Sequence, residues 1–469
     1  MKYEVTVGLE THVELATKSK MFCGCSTAFG AEPNSQCCPV CLGLPGGVPV
    51  INETAVEFAL KVGMALNCEI NRLNQFDRKN YYYPDLPKGY QTSQLYLPIC
   101  HDGHLDIGER QIGIHELHLE EDAGKLIHDD TGASLIDLNR SGVPLIEIVT
   151  EPDFHSAEEV VEYLVRLRRI LRCLKVSDCK MQEGSLRVDV NLSVRPEGQS
   201  ALGTRTEMKN LGSFKAVRQA IEYESKRQME ALERGETIRM ETRRWDEDKG
   251  ISIAMRKKES AADYRYFPDP DLVPLYLDEG YLSSIRSALP ELPEEKRVRY
   301  CKEYGLPEYD AKLLSSGVGV STLFEEAAAL CGEYREVGKY ILGDLLRLLP
   351  DWEDAVTAPM DAQKLADIVT MQKQGHINRA VAKEVLVAAY EQGIDPKAYV
   401  QEHGLAMITD PERIGEAVAA VLQEEEKILK DYRSGKEKAL TALMGCCMRK
   451  LKGKADPALV TKILKDTLK

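Results

Sequence analysis

From its third residue the chain alternates. Tyr3, Val5, Val7, Leu9, Val13 and Leu15 fall on one side of an extended backbone, with Glu4, Thr6, Glu10, His12 and Glu14 on the other. Successive strand side chains point to opposite faces, so this spacing fits a half-buried strand. A second run, Leu186 to Ser193, sets Arg187, Asp189, Asn191 and Ser193 against an apolar face. A third, Ile112 to Asp122, sets Glu116, His118, Glu120 and Asp122 against Leu117, Leu119 and Glu121. Between the strands, Ser156-Ala-Glu-Glu159 has the form of a capping box and predicts a helix to about Leu174, and a further helix is expected from Phe214 to about Glu233.

The pattern changes at Ala288-Leu-Pro-Glu-Leu-Pro293. Beyond this proline-marked linker, apolar residues recur at three and four, as in Asp361 to Met371 and Asn378 to Tyr390. From about Leu405 two or three short helices are expected, broken by Gly435 and Gly453. The expected fold class is α+β: a mixed-sheet cradle domain over 1–292, an all-helical domain over 293–405 and a small basic helical tail over 406–469.

Charge is uneven along the 469 residues. The whole carries −14, which argues against a generic nucleic-acid binder, yet Lys427 to Lys469 holds twelve Lys or Arg against four Asp or Glu. A +8 tail on an acidic body suggests docking to a polyanion; a solvated lysine-rich helix face is the alternative. No apolar run approaches the ~18–20 residues of a membrane span, and the alternating start resembles neither a signal nor a transit peptide. Thirteen cysteines in such a chain point to metal binding or burial rather than disulfides, and a cytoplasmic location is expected.

Cys23-Gly-Cys25 and Cys38-Pro-Val-Cys41 are two thiolate pairs a dozen residues apart, which can converge on one tetrahedral zinc ion. Cys37 competes with Cys38, and buried free thiols are the alternative. Four thiolates leave no open position, so such a zinc would be structural. Glu10 and His12 share a strand face, and Glu120-Glu-Asp122 could come from a neighbouring strand. Carboxylates with one imidazole suit magnesium or manganese holding phosphate oxygens, although a solvated strand face has the same spacing. Asp189, Glu207 and Lys209 raise the same question. Asn80-Tyr-Tyr-Tyr-Pro-Asp-Leu-Pro-Lys-Gly89 could stack on a base or pack as an interface loop. The chain has no P-loop, dinucleotide fingerprint, H-E-x-x-H or G-x-S-x-G motif, which disfavours standard P-loop ATPases, dehydrogenases, metalloproteases and serine hydrolases.

Longer words carry a resemblance: Gly8-Leu-Glu-Thr-His12, Lys18-Ser-Lys-Met-Phe22, Cys41-Leu-Gly-Leu-Pro-Gly46 and Phe76 to Gln91. His118 to Lys125, Asp137 to Glu147, Asp263-Tyr-Arg-Tyr-Phe-Pro268 and Gly453-Lys-Ala-Asp-Pro457 continue it. Over essentially its whole length the chain resembles the B subunits of bacterial aspartyl/glutamyl-tRNA amidotransferases (GatCAB). The archaeal E subunits carry an inserted domain for which this chain has no room.

The resemblance implies an ATP-dependent carbon–nitrogen ligase. The family phosphorylates the side-chain carboxylate of Glu-tRNA(Gln) or Asp-tRNA(Asn), then amidates it with ammonia released by the A subunit, an amidase. The B subunits work in a heterotrimer that also contains a small C subunit. The resemblance implies ATP and Mg2+, with Glu10, His12 and one of Glu120 or Glu121 as magnesium ligands, and Lys79, Asp189 and Glu207 in the same catalytic pocket. Structural Zn2+ on Cys23, Cys25, Cys38 and Cys41 follows the pattern of some family members. The tail resembles the family's tRNA-binding domain, with Lys436, Lys450, Lys452 and Lys454 as contacts, and no membrane partner is implied.

Overall fold

In the computed structural model the alternating segments become neighbours in one mixed sheet. The structure describes residues 2–128, 132–255, 263–350, 352–434, 436–451 and 453–468. The strands of this sheet are β1 (Tyr3–Glu14), β2 (Glu69–Ile70), β3 (Cys100–Asp106), β4 (Gln111–Glu121), β5 (Pro144–Thr150), β6 (Leu186–Pro196), β7 (Thr206–Lys209), β8 (Glu241–Asp246) and β9 (Ile251–Ala254). They lie in the order β9-β8-β7-β6-β1-β5-β4-β3-β2, so the first strand sits in the middle, between β6 and β5. Only β7 and β8 run parallel among these neighbours. Parallel neighbours cannot be joined by a tight turn, and a helix between them in sequence, Phe214–Glu233, makes the crossover.

Three helices close one face: α1 (Glu53–Ala65), α2 (Ala157–Cys173) and α3 (Phe214–Glu233). Val7, Leu9 and Val13 of β1, and Val188 and Val190 of β6, are buried in one core with Leu60, Leu167 and Val217 from these helices. Alternation therefore leaves Glu10, His12, Arg187 and Asp189 on the opposite face, which is the cradle. Thr11 lies on the covered side, and its buried hydroxyl has no hydrogen-bond partner among the described residues. The box predicted at α2 closes only halfway. Ser156 Oγ accepts from Glu159 N at 3.2 Å, but the Glu159 carboxylate accepts from His155 N at 2.7 Å, one residue outside the cap.

The chain divides into two compact units, Met1–Leu292 and Pro293–Lys469, at the proline-marked segment. The second unit holds two separate apolar cores. One is built around Phe324, Tyr340 and Leu386, and the other around Ile414, Val418, Leu443 and Val460. The tail has four helices among the described residues rather than two or three: Pro411–Glu424, Glu426–Arg433, Glu437–Lys450 and Pro457–Leu468. The additional break is Glu425, at φ −107° and ψ 50°, outside helical space. Gly435, one of the expected breaks, lies outside the described residues. Among the described residues no helix is long and apolar enough to cross a membrane.

One ion cluster in the second unit gives a pH-dependent expectation. Glu325 accepts from Lys296 Nζ at 2.9 Å and from Tyr300 Oη at 3.0 Å, with Arg299 alongside. Burial pushes its carboxyl up, but these donors outweigh that and hold it below the usual value. A depressed folded-state value stabilises above the unfolded pKa of about 4.3, and that stability is lost as pH falls through the folded value. Glu325→Gln is therefore expected to cost about 1–2 kcal/mol at pH 7 and less at about pH 3, below the unfolded pKa. Urea melts of both forms at the two pH values check this; an equal penalty at both would reject the assigned ionisation.

Candidate active site and metal centre

Register assembles the first cluster. His12 on β1 pairs with Glu147 on β5, and Glu147 pairs with His118 on β4, making one row across three strands. His118 Nε2 lies 3.1 Å from Glu147 Oε2 and 3.3 Å from Glu120 Oε1, while His12 Nε2 lies 3.5 Å from Glu147 Oε2. One ligand atom from each of His12, Glu120 and Glu147 falls within 4.8 Å of the others. Two carboxylates and an imidazole are the donor set of a hard divalent cation.

The electrostatics agree. Burial opposes ionisation of Glu147 and Glu120, yet the imidazoles hold both carboxyls below their usual range, Glu147 well below it. Burial likewise opposes charge on His118 and His12, and the surrounding carboxylates raise both, His118 strongly. The pocket stabilises positive charge between two buried anions.

Lys79 reaches this pocket from another sheet. It lies on the strand Asp77–Asn80, which pairs with Tyr90–Ser93 and Phe267–Pro268. Its Nζ sits 5.3 Å over the Tyr264 ring, and among the described residues no carboxylate lies within ion-pair distance of it. Burial alone would depress this ammonium; the fields of Glu120 and Glu147 raise it above its usual value. The result is a charged, half-buried donor left available beside the cluster of Glu120 and Glu147. Of the tyrosine loop, Tyr82 is 92% exposed, while Tyr81 packs edge-on against Tyr264.

Glu10 belongs to a second cluster. It pairs with Asp189 across β1 and β6, and its carboxylate gathers with those of Asp189 and Glu207 within 4.8 Å. Lys209 Nζ bonds Asp189 and lies 3.0 Å from Glu207 Oε1, and Asn191 Nδ2 donates to Glu10 at 2.9 Å. Burial first, and then the charge of Glu147, raise the Glu10 carboxyl. The ligand set inferred from sequence is thus redistributed: His12 and Glu120 stay together, and Glu10 joins Asp189 and Glu207. The two clusters are two residues, about 7 Å, apart along β1.

Between Glu120 and Glu121 the pleat decides. Glu121 points to the other side of β4, ion-paired with Lys88 and accepting from Thr92 N at 3.0 Å, away from His12. Glu147 was not singled out from sequence, though a signal existed. It is the one charge in Val143-Pro-Leu-Ile-Glu-Ile-Val149, a run whose continuous hydrophobicity marks a strand buried on both faces. A carboxylate there needs a partner.

The Sγ atoms of Cys23, Cys25, Cys38 and Cys41 also lie within 4.8 Å of one another, with Cys38 and Cys41 at 3.9 Å. Tetrahedral zinc with sulfur at about 2.3 Å places sulfurs about 3.8 Å apart, so the quartet fits. Cys37 turns instead toward Asn139 Oδ1 at 3.9 Å, which leaves Cys38 as the member of the C-x-x-C pair in the quartet. A hydrogen bond from Cys23, the backbone N–H of Cys38 and the nearby Lys20 charge hold the Cys41 thiol down at about 4, while Cys25 is pushed up to about 11 by burial and its sulfur neighbours. Lys20 is fully buried, its Nζ 3.7 Å from Cys41 Sγ and 3.3 Å from Leu138 O. At Gly43, where φ is +66°, a Cβ would come within 2.7 Å of the Lys88 side chain, so the turn after Cys41 requires glycine.

Residues 5–283 match the family model described as the GatB/GatE catalytic domain, and residues 322–468 match that of the GatB domain. The chain belongs to the GatB family. Its relatives include a protein of Lachnoclostridium phytofermentans, 51% identical over 472 residues and 99% of each chain. Another, from Caldicellulosiruptor saccharolyticus, is 51% identical over 477 residues, covering 100% of this chain and 99% of its own. A third, from Caldanaerobacter subterraneus, is 50% identical over all of both chains. All three are named as the B subunit of an aspartyl/glutamyl-tRNA(Asn/Gln) amidotransferase. Both acidic clusters and the cysteine quartet fall inside the GatB/GatE catalytic match, and the cationic tail falls inside the GatB domain match.

In that GatB tail Lys436, Lys450 and Lys454 already have partners. Lys436 pairs with Asp431 at 2.8 Å, and Lys450 pairs with Glu424. Lys454 Nζ donates to Gly404 O at 2.7 Å, beside the bond from Ile408 N to Lys454 O, and so joins tail to helical domain. Lys452 lies outside the described residues.

Proposed function

We propose that this chain is the B subunit of an ATP-dependent tRNA amidotransferase, working in the cytoplasm with an amidase, the A subunit, and with a small C subunit. Its substrates are Glu-tRNA(Gln), Asp-tRNA(Asn) or both. One observation carries the reading: a charged Lys79, with no carboxylate partner among the described residues, faces a cluster of His12, Glu120 and Glu147, in a chain whose relatives along its whole length bear that name.

A carboxylate is a poor acyl donor at neutral pH, and transfer of the ATP γ-phosphoryl group to it creates a phosphate leaving group. A bound magnesium ion would supply neutralising charge for the phosphate oxygens in that transfer. His12, Glu120 and Glu147 would hold it, and Lys79 would meet the charge on the transferring group. Ammonia then attacks the acyl carbon, phosphate departs, and the new amide nitrogen gives up a proton. Glu10, whose carboxyl is raised, takes that proton in this reading, and its cluster with Asp189, Glu207 and Lys209 supports the assignment. Cys23, Cys25, Cys38 and Cys41 would hold a structural zinc. The tail, with Lys436, Lys450, Lys452 and Lys454, grips folded tRNA through phosphates, and Lys436 and Lys450 exchange their acidic partners for phosphate oxygens as it binds.

The test uses the assembled complex with Glu-tRNA(Gln), γ-labelled ATP, magnesium and an ammonium salt. Lys79→Ala should lower amidation by about 10²–10³-fold with tRNA affinity unchanged. Full activity in that variant would remove Lys79 from the reaction. Binding of tRNA with no label transfer by the unaltered complex would replace catalysis with a scaffold role.

A further inference from the structure

The two halves of the pocket stand on different sheets. Glu120 and Glu147 belong to the large sheet, and Lys79 belongs to the small one. The strand Tyr90–Ser93 touches both. Gln91 lies directly opposite Lys79 in the small sheet. From there its Nε2 donates to Glu120 Oε2 at 3.2 Å and to the Glu121 carbonyl at 2.9 Å. Two residues on, Ser93 Oγ donates to Glu120 Oε1 at 2.8 Å. The next side chain, Gln94, accepts from Leu119 N at 3.0 Å. Gln91, Ser93, Gln94 and Glu120 are all buried.

We infer that Gln91 and Ser93 are positioning residues for the phosphoryl-transfer site: they fix the Glu120 carboxylate for the divalent cation and set the Lys79 strand in register against it. The inference rests on the reading of His12, Glu120 and Glu147 as the cation site, and it concerns residues which that reading does not use. The physical case is one of degrees of freedom. A glutamate side chain has three rotatable bonds, and His118 alone contacts Glu120 from within its own strand. Ser93 and Gln91 each fix one of its two oxygens from outside the sheet. That fixes the plane of the carboxylate: Oε1 meets both Ser93 and His118, and Oε2, bonded by Gln91, keeps a lone pair for a ligand. Among the described residues no backbone ladder joins the strand Tyr90–Ser93 to β4, so side-chain hydrogen bonds set the spacing between ammonium and carboxylates. Gln91 bonds the Glu121 carbonyl as well as the Glu120 carboxylate, which ties the same strand to backbone and side chain together.

Direct Mn2+ binding, followed by electron paramagnetic resonance on the assembled complex without ATP or tRNA, tests this alongside the magnesium dependence of amidation. Ser93→Ala and Gln91→Met should each weaken Mn2+ binding about 10–100-fold. Both should raise the magnesium concentration for half-maximal activity by a similar factor. Saturating magnesium should return most of kcat in Ser93→Ala, and Ser93→Thr, which keeps the hydroxyl, should bind Mn2+ within about threefold of the parent. Unchanged Mn2+ affinity in both variants overturns the proposal, as does a kcat loss that magnesium does not reverse, or failure of Ser93→Thr to restore binding. Glu120→Ala separates the two levels. If it abolishes Mn2+ binding while both positioning variants bind normally, only this inference falls. If Mn2+ binding survives Glu120→Ala, the cation-site reading falls and this inference with it.

Discussion

Glu147→Ala is expected to lower ATP-dependent amidation by about 10³-fold or more, about 4 kcal/mol of lost transition-state stabilisation. The residue sits between His12 and His118 in the strand register and carries the anion that both imidazoles share. Removing it takes one of three donors from the proposed cation site and leaves the buried His118 and the half-buried His12 without the anion between them. His118 and His12 then lose a major source of their raised pKa, and burial favours their neutral forms. The site changes from one that attracts a cation to one with a single carboxylate, Glu120. Glu147→Gln keeps the volume and should restore folding without restoring activity. Label transfer from γ-labelled ATP, with circular dichroism as the folding control, checks both variants. Activity within tenfold of the parent in Glu147→Gln would place the cation elsewhere.

The second large effect is structural. Stripping metal from the cysteine quartet, or replacing Cys41 with serine, should lower the thermal midpoint by roughly 5–10 °C and open residues 23–50 to proteolysis. Across that stretch only Cys41 is buried, while Phe29, Val48 and Val50 are 76%, 67% and 72% exposed. A segment with no core and almost no regular structure needs an ion or disulfides to hold a shape. The effect should reach further than the knuckle. Asn34 donates from Nδ2 to Ile136 O and accepts from Leu138 N, and Gln36 N donates to Asn139 Oδ1. The knuckle thereby braces the segment leading into β5, the strand of Glu147. Metal analysis should give about one zinc per chain before chelation and none after. A chelated protein with the same midpoint and the same digestion pattern would make the quartet four free thiols.

Much of the fold was legible because alternation and helical spacing are local signals. β1, β6 and β4 sit where period two predicted them, and α3 spans the residues that the helical pattern indicated. The unit boundary falls at a marked proline segment. The tail was read less well. Its separation into four helices turns on the backbone of Glu425, a residue with no intrinsic breaker character. The site divides the same way. Spacing brought Cys23, Cys25, Cys38 and Cys41 forward because their loops are short, and one strand face brought Glu10 and His12 forward together.

What sequence alone determined, then, is which side of each strand is polar and which residue types stand there. It also placed the words that mark the family and the excess positive charge of the tail. Only the tertiary structure decided partnership: Glu10 with Asp189 and Glu207, His12 with Glu120 and Glu147, Cys38 in place of Cys37, and Lys436 and Lys450 already paired. The physical reason is register. A strand's alternation fixes the face of every residue, but its neighbours and its alignment with them depend on pairings between segments more than a hundred residues apart, as between His12 and Glu147. A one-residue slip would reassign every contact in the site while leaving the local pattern of each strand unchanged.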